Sequence, residues 1–582
     1  MIFRLCRVVC VAALLCATPG YAATQVVGSS TECEHGRIDR IEIRNGDVFS
    51  PAPEDPQLLR WAYKTANQLH IRTRPDFLRK GLLFDVGDCL DPYLLNESGR
   101  LLNDYSFLRS VSITHESEGA GREIVYVDTR DEWTTQANIG VTYDGGPNLE
   151  WLGVNELNLL GNGIGLAATK RQYREDRSQS ITVTWPHLVR YTDIRIHYSS
   201  SPSGSSYGLR VSRPFVGDVG RHSIRLNAAR SADFFSYGMP SGSEYSHILV
   251  PRLIESASFQ YGRRFGSLRR SWVAGLQLNR QAMRVQGAST YVVGSDFDGS
   301  GSAAVDLPGP IRRQFVSRGA TRLSLHLGTR THVPARMVGL DGLRDVQFVS
   351  DGYLVAFSVG RSIGLLVPDS IEAGDTFVHF DAAISKPVGS SYLLAVAGLE
   401  ADHARDGWTD VMTGGEVVAY GRAGWLPNQT VFLRASGAGA WDTTVPFQLT
   451  LGGREGVRSL REDEWPGGRR LILTLEDRIR LDWPEWQAVD IGLTVFGDVG
   501  RMWAGDAPLG VMSRWHGSVG FGLRVGAPRG TRFIWRPDLA FPVGRRGSPV
   551  LRITLELNSI RRGFVTEKLV RSMRFNQGIE AY

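Results

Sequence analysis

The sequence predicts a small α+β domain followed by an all-β, antiparallel barrel that crosses a membrane. The first observation is a two-residue alternation late in the chain. Leu471, Leu473 and Leu475 lie on one face of a predicted strand. Thr474 and Glu476 lie on the other face. A strand with one apolar and one charged face fits a barrel that has lipid outside and polar groups inside.

Composition is the second observation. The 582-residue chain contains 66 glycines, 18 tyrosines and 14 tryptophans. No stretch of about 18 apolar residues follows the N-terminus, so a transmembrane helix is not predicted. An exported chain of this kind is soluble in the periplasm, secreted, or a barrel of the outer membrane. A soluble β-sandwich could also alternate, but alternation that continues from residue 134 to residue 560 favours the barrel.

Residues 1–22 predict a signal peptide. Residues 1–7 carry positive charge, residues 8–17 are apolar, and a small-residue site follows, so we expect cleavage after Ala22 or Ala23. An N-terminal anchor helix is the alternative, but the apolar run is too short to span a bilayer.

Residues 33–130 are predicted to form the small α+β domain, with the order β-α-β-α-β-β. Residues 56–69 place apolar side chains on one helical face, and a second helix begins at Asp91-Pro92. Residues 77–84 are predicted to form the second strand. About one hundred residues are enough to bury one modest core.

The mature chain keeps two cysteines, Cys33 and Cys89, because the other three of the five lie in the signal peptide. In an oxidising periplasm, two cysteines favour one disulfide bond. Two free, buried thiols are the alternative. A metal site is not expected, since neither cysteine has histidine or cysteine neighbours at ligand spacing.

From residue 134 onward, about twenty short alternating segments follow one another with turn signals between them. The barrel is therefore assigned to residues 134–560. Bacterial barrels have even strand numbers and both ends in the periplasm, so residues 561–582 are expected to form a periplasmic tail. The segments lie near 134–144, 147–158, 160–172, 177–188, 190–200, 205–216, 221–235, 250–263, 268–285, 316–331, 353–366, 375–388, 391–404, 412–425, 428–440, 469–481, 489–498, 515–526, 530–541 and 549–559.

Two motifs resemble the BamA/TamA superfamily of outer-membrane protein assembly factors, whose members carry POTRA modules before a 16-stranded barrel. Residues 82–88 read L-L-F-x-x-G-D, which is similar to a POTRA module, and residues 155–163 read N-E-L-N-L-L-G-N-G, which is similar to early barrel strands. The resemblance implies one POTRA-like domain and a barrel of 16 strands. Some of the twenty segments would then be hairpin extensions or loops.

A Gly-rich, charged loop over residues 451–466 resembles the lumenal loop of that family, whose motif is V-R-G followed by an aromatic residue. Serine and leucine replace the glycine and the aromatic residue, so the packing of the loop is expected to differ. The motif residues here are Val457, Arg458, Ser459 and Leu460.

Glu476 and Asp498 match the acidic lumen partners of the family and face inward on adjacent predicted strands. A guanidinium in a barrel lumen needs carboxylates, and its planar fork can bind them bidentately. Both acids could therefore reach Arg458 and tie the loop to the inner wall. The alternative is that the three side chains are independent lumen charges.

The resemblance implies that the protein inserts or translocates client proteins at the outer membrane. The first strand near residues 136–144 and the last near 550–558 must pair to close the barrel, and Gly140, Gly145 and Gly146 offer few side chains to hold that seam. A client strand could pair with the exposed edge by β-augmentation. A dedicated exporter or passive pore for one substrate class is the alternative.

The expected partners are outer-membrane lipid, unfolded or partly folded client proteins and periplasmic accessory proteins. The formal charge of +6 does not predict nucleic-acid binding, because the arginines are dispersed along strands and loops. No cofactor is expected. No H-E-x-x-H motif occurs, and the two G-x-S-x-G matches, residues 204–208 and 360–364, fall on predicted strands instead of at a strand-to-helix turn. The protein is therefore not expected to be an enzyme.

Overall fold

The computed structural model describes residues 33–557, except 144–145, 174–175, 190, 218, 267–268, 293–305, 364–374, 405, 423–427, 454–455 and 545–546. The signal peptide predicted at residues 1–22 and the tail predicted at 561–582 lie outside the described residues. A small N-terminal unit covers residues 33–131, and a closed β-barrel covers residues 135–557. No helix in the described ranges is long and apolar enough to cross a membrane.

The N-terminal unit consists of one sheet and three helices. In chain order its elements are β1 (Arg37–Gly46), α1 (Gln57–Leu69), α2 (Pro75–Lys80), α3 (Pro92–Asn103), β2 (Leu108–Gly119) and β3 (Arg122–Asp131). β3 is the central strand and lies parallel to β1 and antiparallel to β2. Helices α2 and α3 pack against the sheet around a core of buried apolar side chains that includes Leu78, Leu82, Leu102, Leu108 and Val127.

The predicted four-stranded arrangement of this unit is wrong, and the POTRA-like assignment loses its support. Residues 77–84 were expected to form a strand, but helix α2 occupies the start of that range, and the sheet has only three strands. Pro75 favours a helix start because its fixed φ suits the first turn. Phe77 and Leu78 are adjacent and both buried, which a strand facing one core would not allow. Cys33 and Cys89 form a disulfide bond that joins the start of the unit to the segment before α3.

The barrel wall follows from residue 135. Its strands are β4 (Thr135–Tyr143), β5 (Pro147–Leu159), β6 (Ile164–Tyr173), β7 (Asp176–Val189), β8 (Thr192–Ser201), β9 (Gly204–Arg213), β10 (His222–Gly238), β11 (His247–Gly266), β12 (Arg270–Val285), β13 (Thr290–Val292), β14 (Arg318–Thr331), β15 (Val333–Val338), β16 (Val346–Ile363), β17 (Thr376–Val388), β18 (Ser391–Ala404), β19 (Gly407–Gly421), β20 (Gln429–Trp441), β21 (Arg469–Arg480), β22 (Asp490–Trp503), β23 (His516–Gly526), β24 (Phe533–Val543) and β25 (Val550–Leu557). One short helix, α4 (Gly309–Gln314), lies between β13 and β14.

The expected count of 16 strands is wrong, because twenty strands close the ring. The ring order contains 22 strands from β4 to β25, but β12 pairs directly with β14, and β14 pairs directly with β16. β13 and β15 are therefore short additions, which pair with β11 and β16. All twenty segments that alternate in the sequence are wall strands, and none of them is a mere hairpin extension.

The two faces of the wall differ in chemistry as the alternation predicts. On the outer face, Leu475, Val495 and Phe521 are between 53% and 57% exposed. On the inner face, Asp498 and Arg524 are both 4% exposed. An arginine that faces lipid at mid-depth costs roughly 2–4 kcal/mol, so a barrel in a bilayer keeps such charges inside.

The N-terminal unit covers one end of the barrel, which we call the proximal rim; the opposite end is the distal rim. The Asn158 side chain at the β5–β6 turn donates a hydrogen bond to the Thr73 hydroxyl (2.8 Å). From the far side of β25, Arg532 at the β23–β24 turn donates to the carbonyl of Asn103 (2.9 Å). The unit is therefore bonded to wall turns on both sides of the junction between the first and last strands.

Glu132 lies in the linker between β3 and β4 and is 2% exposed. Burial raises the pKa of its carboxyl to about 7, although Arg109 and the backbone N–H of Trp133 partly oppose this. The N–H of Trp133 donates to the Glu132 carboxyl over 3.3 Å. The linker between the unit and the barrel therefore holds a carboxyl group that gains a proton near neutral pH.

We expect this group to make the free energy of unfolding depend on pH. The native state binds the proton more tightly than the unfolded chain, so stability falls as pH rises from about 4.5 to about 7. The loss is on the order of 3 kcal/mol. Glu132→Gln should remove this dependence in urea titrations followed by tryptophan fluorescence. The exposed Glu118→Gln serves as control, and an unchanged pH profile in Glu132→Gln would contradict the assignment.

Candidate functional site

A long loop from the distal rim fills one half of the barrel lumen. Residues 442–468 connect β20 to β21, and their described apolar side chains pack against wall residues such as Met412, Ile472 and Met502. The most deeply buried loop side chains, each 0% exposed, are Phe447, Leu449, Leu451, Val457 and Leu460. The loop therefore has a core of its own inside the barrel.

The structure brings the predicted residues Arg458, Glu476 and Asp498 together in the lumen. The Arg458 guanidinium makes two contacts of 2.9 Å with the two carboxylate oxygens of Asp498. Its Nη1 atom lies 2.9 Å from Glu476 and 3.4 Å from Asp538. The guanidinium also lies 3.5 Å from the ring centroid of Phe496. This is a bidentate, charge-assisted contact in a site that excludes most water.

The other three motif residues hold the loop by packing and through the backbone. Val457 and Leu460 belong to the apolar core of the lumen, and Ser459 is 2% exposed. Leucine thus supplies the apolar volume for which the related motif uses an aromatic residue. The Leu460 carbonyl accepts a hydrogen bond from Arg552 on β25 (2.8 Å). The lumen loop is therefore joined directly to the last strand of the wall.

Further arginines of the wall share the same acids. Glu476 accepts from Arg478 (2.8 Å) and Arg536 (3.4 Å), and Asp538 accepts from Arg524 (2.5 Å). Sequence reasoning did not assign Asp538 or these arginines to the cluster. Inward parity on β21, β23 and β24 was the signal that could have found them, because the residues alternate with apolar outward neighbours.

A hairpin from the proximal rim enters the other half of the lumen, and the sequence did not predict it. β15 and the start of β16 form this hairpin, and its Met337 and Leu340 pack against Tyr392, Tyr420 and Phe432 of the wall. Arg478 donates to the Leu340 carbonyl (3.1 Å). The lumen is thus filled from both rims.

The two lumen elements meet through one pair of wall residues. Glu476 binds Arg458 of the distal loop and also binds Arg478. Arg478 in turn contacts Asp341 of the proximal hairpin (3.3 Å). A continuous chain of charged groups therefore connects the loop, the wall and the hairpin.

The seam between β4 and β25 is the weakest pairing in the barrel. Among the described residues, three pairs join the two strands, namely Tyr143–Leu551, Thr142–Arg552 and Val141–Ile553. Every other pair of neighbouring ring strands is joined over seven or more residues, and β5–β6 and β9–β10 are the shortest. The seam is closed near the distal rim.

Toward the proximal rim the two strands are not paired with each other. Residues 135–140 of β4 pair with β5, and residues 554–557 of β25 pair with β24, but no described residue links the two segments as a ladder. The register of β4 also shifts between Gly140 and Val141. This shift lies in the pairing of β4 with β5, which continues on both sides of it, and it falls at the level where the described pairing with β25 stops.

Gly140 marks the place where the seam pairing stops. A Cβ atom at Gly140 would lie 2.5 Å from the ring of Trp151, so any larger residue would require this tryptophan to move. A Cβ atom at Gly146 would meet nothing within 4 Å, and Gly145 lies outside the described residues. The glycines expected to weaken the seam therefore include one with a defined steric role.

Within the described ranges, no three His, Cys, Asp or Glu side chains lie close enough together to hold a metal ion. No family model matches the chain, and no curated protein sequence matches it.

Solved structures similar to this chain include outer-membrane barrels. BamA from Haemophilus ducreyi lacking POTRA domains 1–3 is 13% identical over 89% of this chain and 85% of that chain, with a TM-score of 0.40. CdiB from Escherichia coli is 12% identical over 90% of this chain and 77% of that chain, with a TM-score of 0.45. The type of barrel that the motifs resemble is thus present among the structural neighbours. At these identities and TM-scores the likeness carries no argument about function.

Replacing Arg458 with alanine should destabilise the folded barrel. Glu476 and Asp498 would lose a buried partner, and breaking a buried ion pair costs roughly 3–5 kcal/mol. We expect less heat-resistant, fast-migrating protein on unboiled gels and a lower yield of folded barrel. Arg458→Lys keeps the charge without the bidentate fork and should give an intermediate result.

The matched control is Arg284→Ala, since the Arg284 side chain is 62% exposed. We expect this variant to migrate and accumulate like the wild type. If Arg458→Ala did the same in both assays, the loop would not depend on this tie.

Proposed function

We propose that the protein is an outer-membrane assembly or translocation factor that inserts or exports client proteins by β-augmentation at its barrel seam. The observation that carries the proposal is the seam of three residue pairs in a ring of otherwise long pairings. Such a seam separates at a lower cost than any other strand pair in the wall.

The open part of the seam supports pairing with an added strand. Residues 135–140 and 554–557 each present one edge that has no strand partner among the described residues. In lipid, an unpaired backbone group costs several kcal/mol, so a client strand that supplies hydrogen bonds would be stabilised there. Unfolded or partly folded chains carry such unpaired strands, and we therefore propose them as the clients.

The location follows from the wall. A closed barrel with an apolar outer face and a charged inner face is suited to a membrane that accepts β-barrels, and we propose the outer membrane. The N-terminal unit and the proximal rim then lie in the periplasm, where accessory proteins could reach them. The proposal includes no catalytic step and no cofactor.

A passive pore is the weaker alternative, because the distal loop and the proximal hairpin both occupy the lumen. We expect the wild-type chain to give no steady conductance in planar bilayers. A dedicated exporter remains the second candidate, and it shares the seam mechanism. Outer-membrane proteomics after depletion separates the two: loss of many barrels indicates a general insertase, and loss of one species indicates an exporter.

Locking the seam should abolish client insertion. Val141 and Ile553 are paired across the seam, so Val141→Cys with Ile553→Cys should form a disulfide bond when oxidised. We expect oxidation to reduce insertion of a radiolabelled barrel client into proteoliposomes to background, and reduction to restore it.

The matched control carries Val154→Cys and Ala168→Cys, which are paired between β5 and β6, away from the seam. Oxidation of that pair should leave insertion unchanged. Normal insertion through a demonstrably oxidised seam would rule out the gating mechanism.

A further inference from the structure

A groove of about 470 Å³ lies in the wall across strands β18 to β22. Its floor consists of small residues that lie opposite one another on neighbouring strands. Gly415 is paired with Gly437, and Thr413 is paired with Gly439. Ala397 is paired with Gly415 on the other side. The depression therefore exists because three neighbouring strands carry little side-chain volume at this level.

The groove faces lipid and not the lumen. Val417 on β19 and Leu433 on β20 have the same parity as the floor residues, and they are 44% and 48% exposed on the outer face. The groove lies in the distal part of the wall, beside the strand ends that lead into the 442–468 loop. Lipid chains that follow a flat wall would leave this depression without contacts, which loses dispersion energy.

Two tryptophans and Arg469 line the distal end of the groove, and Arg501 lies beside it on β22. Trp441 and Trp503 line it, and tryptophan is the residue that favours the membrane interface. The Arg469 guanidinium lies 4.7 Å from the Trp441 ring centroid, and the Arg501 guanidinium lies 5.2 Å from that of Trp503. Both arginines have the outward parity of Leu475 and Val495 on their strands.

The charge of these arginines is not neutralised closely by the described residues. Arg469 has Asp506 as an acidic neighbour only at 4.0 Å. The Nε atoms of Arg469 and Arg501 are buried and have no hydrogen-bond partner there. Outward arginines near an interface cost only about 0–1 kcal/mol, and they attract anionic headgroups. The aliphatic part of each arginine side chain can stay beside its tryptophan while the guanidinium group binds a phosphate.

We propose that the groove binds lipid A, the diphosphorylated and acylated glycolipid of the outer leaflet. One acyl chain fills the glycine-lined groove, and the two phosphates are bound by Arg469 and Arg501 on adjacent strands. This assignment rests on the proposed outer-membrane location, which places the distal rim in the outer leaflet. Guanidinium and phosphate match in charge and in bidentate geometry.

The test is native mass spectrometry of the detergent-purified full chain titrated with lipid A, phosphatidylglycerol or phosphatidylcholine. We expect a one-lipid adduct with lipid A at lower concentrations than with either phospholipid. The double variant Arg469→Gln/Arg501→Gln should weaken lipid A binding at least about tenfold, because charge-assisted hydrogen bonds are lost.

A second variant tests the groove without changing charge. Gly437→Leu fills the groove with a leucine side chain. The new Cβ atom would lie 3.8 Å from its nearest neighbour, so it causes no clash with the barrel wall. This variant should also lose lipid A binding. Gly497→Leu is the matched control, since Gly497 also faces outward, on β22, but lies outside the groove. A Cβ atom at Gly497 would likewise lie 3.8 Å from its nearest neighbour. It should bind lipid A like the wild type.

Heat-resistant gel mobility establishes that each variant is folded. Wild-type binding by both folded test variants would overturn the proposal, and so would equal binding of phosphatidylglycerol and lipid A. The assay contains no client, so it fails independently of the seam mechanism. If the locked seam blocks client insertion but lipid A does not bind, the lipid-site proposal is rejected and the proposed function is unaffected.

Discussion

A guanidinium enclosed in the lumen of a barrel has to be surrounded by carboxylates, and the interior of this protein is organised by that requirement. Arg458 reaches the lumen only because the distal loop folds inward, and it is held there by acids from β21, β22 and β24. The same acids are neutralised by arginines of the wall, one of which also holds the proximal hairpin. Loop, wall and hairpin therefore depend on one set of charges.

The contrast between this interior and the seam indicates where movement is least costly. Displacing the loop or the hairpin would expose buried apolar side chains and leave ions without partners, which is costly in a medium of low polarity. Parting β4 from β25 breaks three residue pairs. The Arg552 contact with Leu460 shows that the two regions are adjacent. The loop therefore supports the last strand from inside, whereas residues 554–557 of that strand have no partner on β4 among the described residues.

Much of this architecture could be predicted from local pattern. Parity placed Glu476 and Asp498 inside the barrel, and alternation found all twenty wall strands. The predicted strand number was wrong because the 16 strands expected from the family resemblance were preferred to the twenty segments found by alternation. The predicted second strand of the N-terminal unit was wrong, because residues 75–80 form a helix that buries the adjacent Phe77 and Leu78 together. The proximal hairpin could not be foreseen, since its contacts lie far away in sequence.

The position of the N-terminal unit has a consequence for how far the first and last strands can separate. Its bonds to the β5–β6 and β23–β24 turns span the gap between the first and last strands. Any widening of that gap lengthens the distance between these anchor points, so some of the bonds must break before the wall can part. In the proposed membrane location, the N-terminal unit therefore resists further separation of the two strands at the proximal rim.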